Sequence, residues 1–109
     1  METKTKNNQT FSEIIKGDTP VLVDFYADWC GPCKMMVPVL KKLKNRMGDQ
    51  IKIIKIDAEK NPAAAIRYHV RGVPTLILFQ KGRILWQKSG VVREEPLYTI
   101  ITSKVDHRD

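Results

Sequence analysis

The chain has 109 residues, enough for one compact domain with a buried core and too few for two. Its 42% hydrophobic and 28% charged residues are typical of a globular protein and exclude a disordered or collagen-like chain. An excess of 19 lysines and arginines over 12 acidic residues gives a net charge of +7, which leaves nucleic acid, acidic lipid or an acidic protein open as partners.

The amino-terminal segment, residues 1–9, is polar and predicts at most a weak first strand. No apolar stretch of signal-peptide length follows it, and no apolar run in the chain is long enough to cross a bilayer. We therefore expect a cytoplasmic protein that does not bind membranes. We treat residues 1–109 as a single domain.

Local patterns then predict helices and strands in alternation. Thr10 and Glu13 form a capping-box pair at the start of a short helix over residues 11–16. The run 21–26 is apolar on both alternating faces except at Asp24, which is typical of a central strand covered on both sides.

A longer helix follows the two cysteines. Its apolar residues recur at helical spacing: Met36, Leu40, Leu43 and Met47. Pro38 falls inside this helix and predicts a kink, because it removes one backbone donor. The run 51–56 predicts a second buried strand, and Asn61 before Pro62 predicts the capped start of a short helix.

A hairpin and a final helix complete the pattern. The runs 75–79 and 83–87 flank a Lys81-Gly82 turn. The last helix has one apolar face, made of Leu97, Ile100, Ile101 and Val105. This order predicts an α/β fold with a central mixed sheet of four to five strands flanked by about four helices.

The two cysteines lie where the central strand ends and the long helix begins. A helix start supplies unpaired N–H groups and a positive dipole end, which favour the thiolate form of Cys30. Cys33 lies one turn further on, where it can attack a mixed disulfide on Cys30. Pro32 stiffens the loop between them and suits a first helical turn. The spacing therefore favours thiol–disulfide exchange.

Two structural alternatives compete with this interpretation. A structural zinc site needs about four ligands, and only His69 and His107 are available besides the cysteines. A purely structural disulfide is disfavoured because so small a ring restrains little chain entropy. We expect no metal site.

Two segments carry a resemblance to a known family. The stretch 21–34, which contains Cys30-Gly31-Pro32-Cys33, resembles the active-site stretch of the thioredoxin family, and residues 72–75 resemble its second signature. Further matching positions are Lys55, Asn61-Pro62, Phe79, Gly82 and Gly90. One departure is Tyr26, where the family commonly has tryptophan.

The resemblance implies a thioredoxin fold and a general protein-disulfide reductase. In such an enzyme Cys30 attacks a substrate protein disulfide, Cys33 resolves the mixed disulfide, and a thioredoxin reductase drawing on NADPH restores the dithiol. No bound cofactor is implied, and we expect a monomer. The alternatives are a thiol oxidase or isomerase of the same fold in an oxidising compartment, and a non-catalytic binding module. Nucleic acid is disfavoured, because neither an aromatic-studded basic sheet nor a recognition helix accompanies the charge.

Asp24 carries a second expectation, since a carboxylate inside a buried strand is costly unless it is paired, protonated or functional. The resemblance implies that burial raises its pKa so that it exchanges a proton with Cys33, with Lys55 as its charge partner. The alternatives are a solvated carboxylate at a strand edge and an exposed sheet lysine. Asp57 and Glu59 are predicted to be solvated turn carboxylates.

A substrate-binding surface is also implied by the resemblance. The Val73-Pro74 bond is expected to be cis, which leaves the Val73 backbone available to an extended substrate segment, with Trp29 covering one side of the groove. The remaining residues of the predicted surface are Gly31, Pro32 and Gly90. The alternatives are a strand-start proline at position 74 and a plain packing role for the tryptophan.

Overall fold

Helices and strands follow one another along the chain in the predicted order. The computed structural model describes residues 10–106, so the predicted weak first strand and His107 lie outside the described residues. The elements are α1 (Phe11–Ile15), β1 (Val21–Tyr26), α2 (Gly31–Met47), β2 (Lys52–Asp57), α3 (Pro62–Arg67), β3 (Thr75–Gln80), β4 (Arg83–Ser89) and α4 (Glu94–Lys104). A 3₁₀ turn over Gly48–Gln50 links α2 to β2.

Strand β1 has a central place in the sheet. The strand order is β2-β1-β3-β4, with β1 parallel to β2 and antiparallel to β3. Residues 21–25 are all buried, because apolar layers cover both faces of the strand. The predicted doubly covered strand and the mixed four-stranded sheet are thus confirmed for the described residues.

The predicted burial of the second strand holds only in part, since Ile51 and Ile56 are buried. Among the described strands β2 pairs only with β1. Lys52 and Lys55 are exposed, while Ile53 and Ile54 are only half-buried. The apolar run 51–56 reflects β propensity, which does not reveal how completely each side chain is covered.

Two apolar layers hold the helices against the sheet. Helices α2 and α4 pack on one face, and α1 and α3 pack on the other. The predicted inner face of α2 is confirmed, since its four periodic apolar residues are all buried. In α4 only Leu97 and Ile101 are buried; Ile100 is half-buried, and Val105 lies just beyond the helix end. The buried apolar face of α4 is therefore narrower than the predicted one.

The starts of the two short helices differ from each other. The capping box of α1 is confirmed, because the Glu13 N–H donates to Thr10 Oγ1 and the Thr10 N–H donates to Glu13 Oε1. Asn61 precedes α3 but its side chain does not cap it. Its Nδ2 donates instead to the Asp57 carbonyl oxygen at 3.0 Å, a partner that only the folded turn supplies.

Candidate active site

The two cysteines are joined in a disulfide at the start of α2. Cys30 is the N-cap residue of this helix, and its Sγ accepts a hydrogen bond from the Cys33 N–H at 3.0 Å. A sulfur atom thus takes the position that a serine or aspartate oxygen takes at many helix starts. Pro32 lies in the first turn, where a missing N–H costs nothing. The helix start therefore points a polarised N–H group at one sulfur of the pair.

A second loop lies against the disulfide. The Val73–Pro74 bond is cis, the geometry that the resemblance implies. The Val73 carbonyl oxygen is 3.6 Å from Cys30 Sγ, and the valine side chain packs against the small apolar cluster that contains both cysteines. Gly90 holds this loop in place through a hydrogen bond, in which its N–H donates to the Pro74 carbonyl oxygen at 2.8 Å. Its φ of 101° is a conformation that favours glycine.

An exposed surface surrounds the buried sulfur atoms. The cysteines are only 2% and 4% exposed, whereas the Trp29 side chain is 68% exposed and Gly31 and Pro32 are also exposed. A groove of about 230 Å³ runs between Trp29 and the Gly72–Val73 segment. Val73, which contacts Cys30, thus shares this shallow groove with the exposed Trp29.

Asp24 is fully buried within β1, and neither of its carboxylate oxygens has a hydrogen-bond partner among the described residues. Burial raises its pKa from 3.8 to about 6, and the positive charge of Lys55 works in the opposite direction. Lys55 is its cross-strand partner on β2. Such partners extend to the same face of a sheet, which explains the electrostatic contact.

Lys55 also reaches the cysteine side of the sheet. It is exposed, and its Nζ lies 5.4 Å from the centre of the Tyr26 ring. A pocket of about 170 Å³ has Lys55, Tyr26 and Cys33 in its wall. Both expectations for this lysine therefore hold in part, since it is an exposed sheet lysine that still interacts with Asp24. The described residues show no ion pair between the two side chains.

Comparison with known proteins identifies the family. A family model described as Thioredoxin matches residues 2–103. The chain belongs to the thioredoxin family. It is 41% identical over 95 residues to a thioredoxin from Alicyclobacillus acidocaldarius, covering 87% of this chain and 90% of that protein. It is 36% identical over 103 residues to a thioredoxin from Rhodospirillum rubrum, covering 94% of this chain and 99% of that one.

A plant relative and a solved structure extend the comparison. The chain is 38% identical over 107 residues to a rice protein named "Thioredoxin Y, chloroplastic", covering 97% of this chain but only 64% of that longer protein. A mutant thioredoxin from Halobacterium salinarum superimposes with a TM-score of 0.81 at 36% identity, covering 98% of this chain and 91% of that one. The fold is therefore a thioredoxin fold, and the Cys30–Cys33 pair is that of a thioredoxin-type thiol–disulfide oxidoreductase.

The predicted site residues of this thioredoxin domain lie in two groups. Around the disulfide the structure brings together the exposed turn, the cis-proline loop and its support: Trp29, Cys30, Gly31, Pro32, Cys33, Val73, Pro74 and Gly90. Asp24 and Lys55 form the second group, which meets the first at the pocket beside Cys33. Among residues 10–106 no cluster of three histidine, cysteine or acidic side chains is arranged to hold a metal ion. Over the same range, none of the helices has both the length and the apolarity that crossing a bilayer requires.

Sequence reasoning missed one contact of this thioredoxin site. The Trp29 Nε1 donates to Glu59 Oε2 at 2.7 Å. Glu59 lies on the turn after β2, and this turn is held by Asp57, whose Oδ1 accepts the Glu59 and Lys60 N–H groups. The prediction that Asp57 is a solvated carboxylate is wrong, because it is buried and bonded to the turn. Trp29 and Glu59 are 30 residues apart in the sequence, which explains why no local pattern revealed the contact.

Proposed function

We propose that this protein is a general protein-disulfide reductase that acts through Cys30 and Cys33. Cys30 as thiolate attacks a substrate disulfide, so that one new sulfur–sulfur bond forms and one substrate thiol leaves. Cys33 then attacks Cys30 and releases the second substrate thiol. Two electrons pass to the substrate, and the protein is left with the disulfide observed here. The hydrogen bond from the Cys33 N–H to Cys30 Sγ carries this proposal.

The roles of the two sulfur atoms follow from their places on the helix. Cys30 lies at the N-cap, where the N–H group and the positive end of the α2 dipole stabilise a negative charge. Cys33 lies inside the first turn, within bonding reach of Cys30. A mixed disulfide on Cys30 therefore keeps its resolving thiol beside it.

Substrate binding in this proposal uses the groove beside the disulfide. Val73 belongs to neither a helix nor a strand, so its backbone groups stand outside the sheet ladder. An extended substrate segment can pair with them in the manner of an added strand while Trp29 covers its other side. Recognition of backbone rather than side chains suits a reductase with broad substrate choice. Gly31 and Pro32 are exposed beside the disulfide, and Gly90 contributes by holding the cis-proline loop through its hydrogen bond to Pro74.

The resolving step is proposed to use Asp24 and Lys55. Asp24 is a buried carboxylate with a raised pKa, and Lys55 lies both opposite it in register and in the wall of the pocket beside Cys33. Asp24 in its ionised form takes up the proton that Cys33 must lose before it attacks. Lys55, opposite Asp24 in register, shares the wall of this pocket with Cys33 and so relates the carboxylate to the resolving sulfur.

The remaining features of the proposal concern partners. Electrons come from NADPH through a thioredoxin reductase, and this chain needs no bound cofactor because its two sulfur atoms carry the electrons. It acts as a monomer on protein disulfides, without nucleic acid or membrane. We place it in the cytoplasm, where thiols are kept reduced; the relatives named as chloroplastic make a chloroplast the alternative.

The reductase activity is tested by the reduction of insulin. With NADPH and a bacterial thioredoxin reductase, we expect insulin-dependent oxidation of NADPH, and none from the Cys30→Ser/Cys33→Ser double variant. Insulin reduction with dithiothreitol but none with the reductase would contradict the proposed electron donor. A midpoint potential far above that of glutathione would favour an oxidase and overturn the reductase assignment.

The Trp29–Glu59 hydrogen bond gives a second prediction. Glu59→Ala frees the indole, and we expect the KM for insulin to rise about fivefold with kcat unchanged, since a charge-assisted bond at an exposed site contributes about 1 kcal/mol. Glu59→Gln keeps an acceptor oxygen and should restore most of the affinity. Lys60→Ala, on the same turn, is the matched control. An unchanged KM in Glu59→Ala would show that the indole needs no such support.

A further inference from the structure

A larger cleft lies far from the disulfide. It has a volume of about 690 Å³ and is bounded by α1, α3 and the turn between β3 and β4. That turn follows the last residue of β3, whereas the cis-proline loop precedes its first residue. A six-residue strand spans about 20 Å, so the cleft and the disulfide lie towards opposite ends of the sheet.

The floor of this cleft is apolar and aromatic. Phe11, Tyr68 and Phe79 form an edge-to-face trio with ring centres 5.3 to 5.8 Å apart. Ile84 stands at the margin with 47% of its surface exposed. A floor of this kind, in a cleft of this volume, suits one or two apolar side chains of a ligand.

The rim of the cleft is positively charged. Lys16, Arg67 and Arg83 line it, and no acidic residue is among its described lining residues. None of the three cations forms an ion pair with a described residue, although Arg67 lies over the Tyr68 ring. An apolar floor under three unpaired cations is complementary to a ligand that combines carboxylates with an apolar anchor.

We propose that this cleft is a docking site for an acidic segment of a partner protein, with an aliphatic or aromatic anchor between its Asp and Glu residues. Duplex nucleic acid is disfavoured, because its phosphates lie outside its bases and offer no apolar side chain to the floor. The chain's own residues 1–9 are disfavoured by charge, since they carry Lys4 and Lys6 against Glu2. The docking proposal is the same whether the protein reduces or oxidises its substrates, because none of the cleft residues takes part in the proposed reaction.

The probe is a capped hexapeptide with a central Leu-Phe pair flanked on both sides by Glu and Asp. Titrated into the ¹⁵N-labelled full chain, it is expected to shift the amide signals of Lys16, Arg67, Tyr68 and Gly82, and to leave those of Cys30 and Val73 in place. A peptide with Lys at every acidic position should shift none of them. Shifts that centre on the disulfide, or on residues 1–9, would overturn the assignment of the cleft.

Matched charge reversals distinguish the contribution of the cleft to peptide binding from that of the overall net charge. Arg67→Glu/Arg83→Glu is expected to weaken peptide binding by about tenfold or more. Lys41→Glu/Lys42→Glu changes the net charge equally on exposed positions of α2, across the sheet, and should have little effect. Equal weakening by both variants would overturn the proposal and leave only general attraction. Insulin reduction with dithiothreitol should be the same in both, so a failed docking site and a failed reductase assignment are distinguishable.

Discussion

Replacing Cys33 with serine is expected to convert the protein into a covalent trap for its substrates. Cys30 keeps its place at the N-cap, where the N–H of residue 33 still donates to its sulfur. It therefore still attacks a substrate disulfide, but the serine hydroxyl is too weak a nucleophile at neutral pH to resolve the adduct. We expect a Cys30–substrate adduct that dithiothreitol cleaves, and steady-state turnover lower by about three orders of magnitude.

Cys30→Ser is the matched control for this prediction. The exposed fractions of the two cysteines, 2% and 4%, do not decide which sulfur attacks, so the assignment depends on helix position. Cys33 lies inside the first turn, and we expect no adduct when it is the single thiol. Mass spectrometry of each variant after mixing with oxidised insulin makes the measurement. An adduct on Cys33 in the Cys30→Ser variant would reverse the proposed roles.

Much of this site follows from local sequence. Cys30 and Cys33 come between a strand and a helix that short-range patterns define well: a buried apolar run before them and four apolar residues at helical spacing after them. A helix start is a local feature, so the contact between the Cys33 N–H and Cys30 Sγ was foreseeable from spacing. The cis bond before Pro74 came from the family resemblance alone.

Other features depend on contacts that no local pattern reveals. The apolar run of the second strand does not reveal that Lys52 and Lys55 are exposed while Ile56 is buried. Asn61 has the residue type of a helix cap but bonds back to β2. Glu59 holds the tryptophan of another loop. Each of these depends on the relative placement of elements, which periodicity does not encode.

The Asp24→Asn substitution is expected to remove the pH dependence that the Asp24 carboxyl gives to the free energy of unfolding. The pKa of Asp24 is about 6 in the folded protein and 3.8 as the ordinary value, so the folded state prefers the protonated carboxyl. Its contribution to stability is complete below pH 3.8 and is lost as the pH rises through about 6. A pKa difference of this size corresponds to about 3 kcal/mol in the free energy of unfolding.

The measurement compares the oxidised wild type with oxidised Asp24→Asn by urea unfolding from pH 4 to pH 8. The variant should gain about 2.4 kcal/mol relative to the wild type across this range, because a smaller part of the effect develops below pH 4. The buried Asn amide carries its own cost, but that cost is independent of pH and cancels in the comparison. Parallel stability curves for the two proteins would show that Asp24 titrates alike in the folded and unfolded states.

The same carboxylate should set the pH dependence of the resolving step. Asp24 accepts the proton of Cys33 only when ionised, so the rate of mixed-disulfide resolution should fall below about pH 6. The Asp24→Asn variant should not show this fall in rate, and it should slow resolution more than the first attack. Equal slowing of both reactions would contradict the assigned role.

Lys55 should influence the pH at which the rate of the resolving step changes. Its charge lowers the pKa of Asp24, so Lys55→Gln should move the midpoint of the resolving step to higher pH. Lys52→Gln removes an equally exposed lysine from the same strand, but at a position opposite Val21, and should leave the midpoint unchanged. Stopped-flow resolution of a mixed disulfide on Cys30 at a series of pH values separates these outcomes. Equal shifts in both variants would attribute the effect to net charge rather than to the Asp24–Lys55 pair.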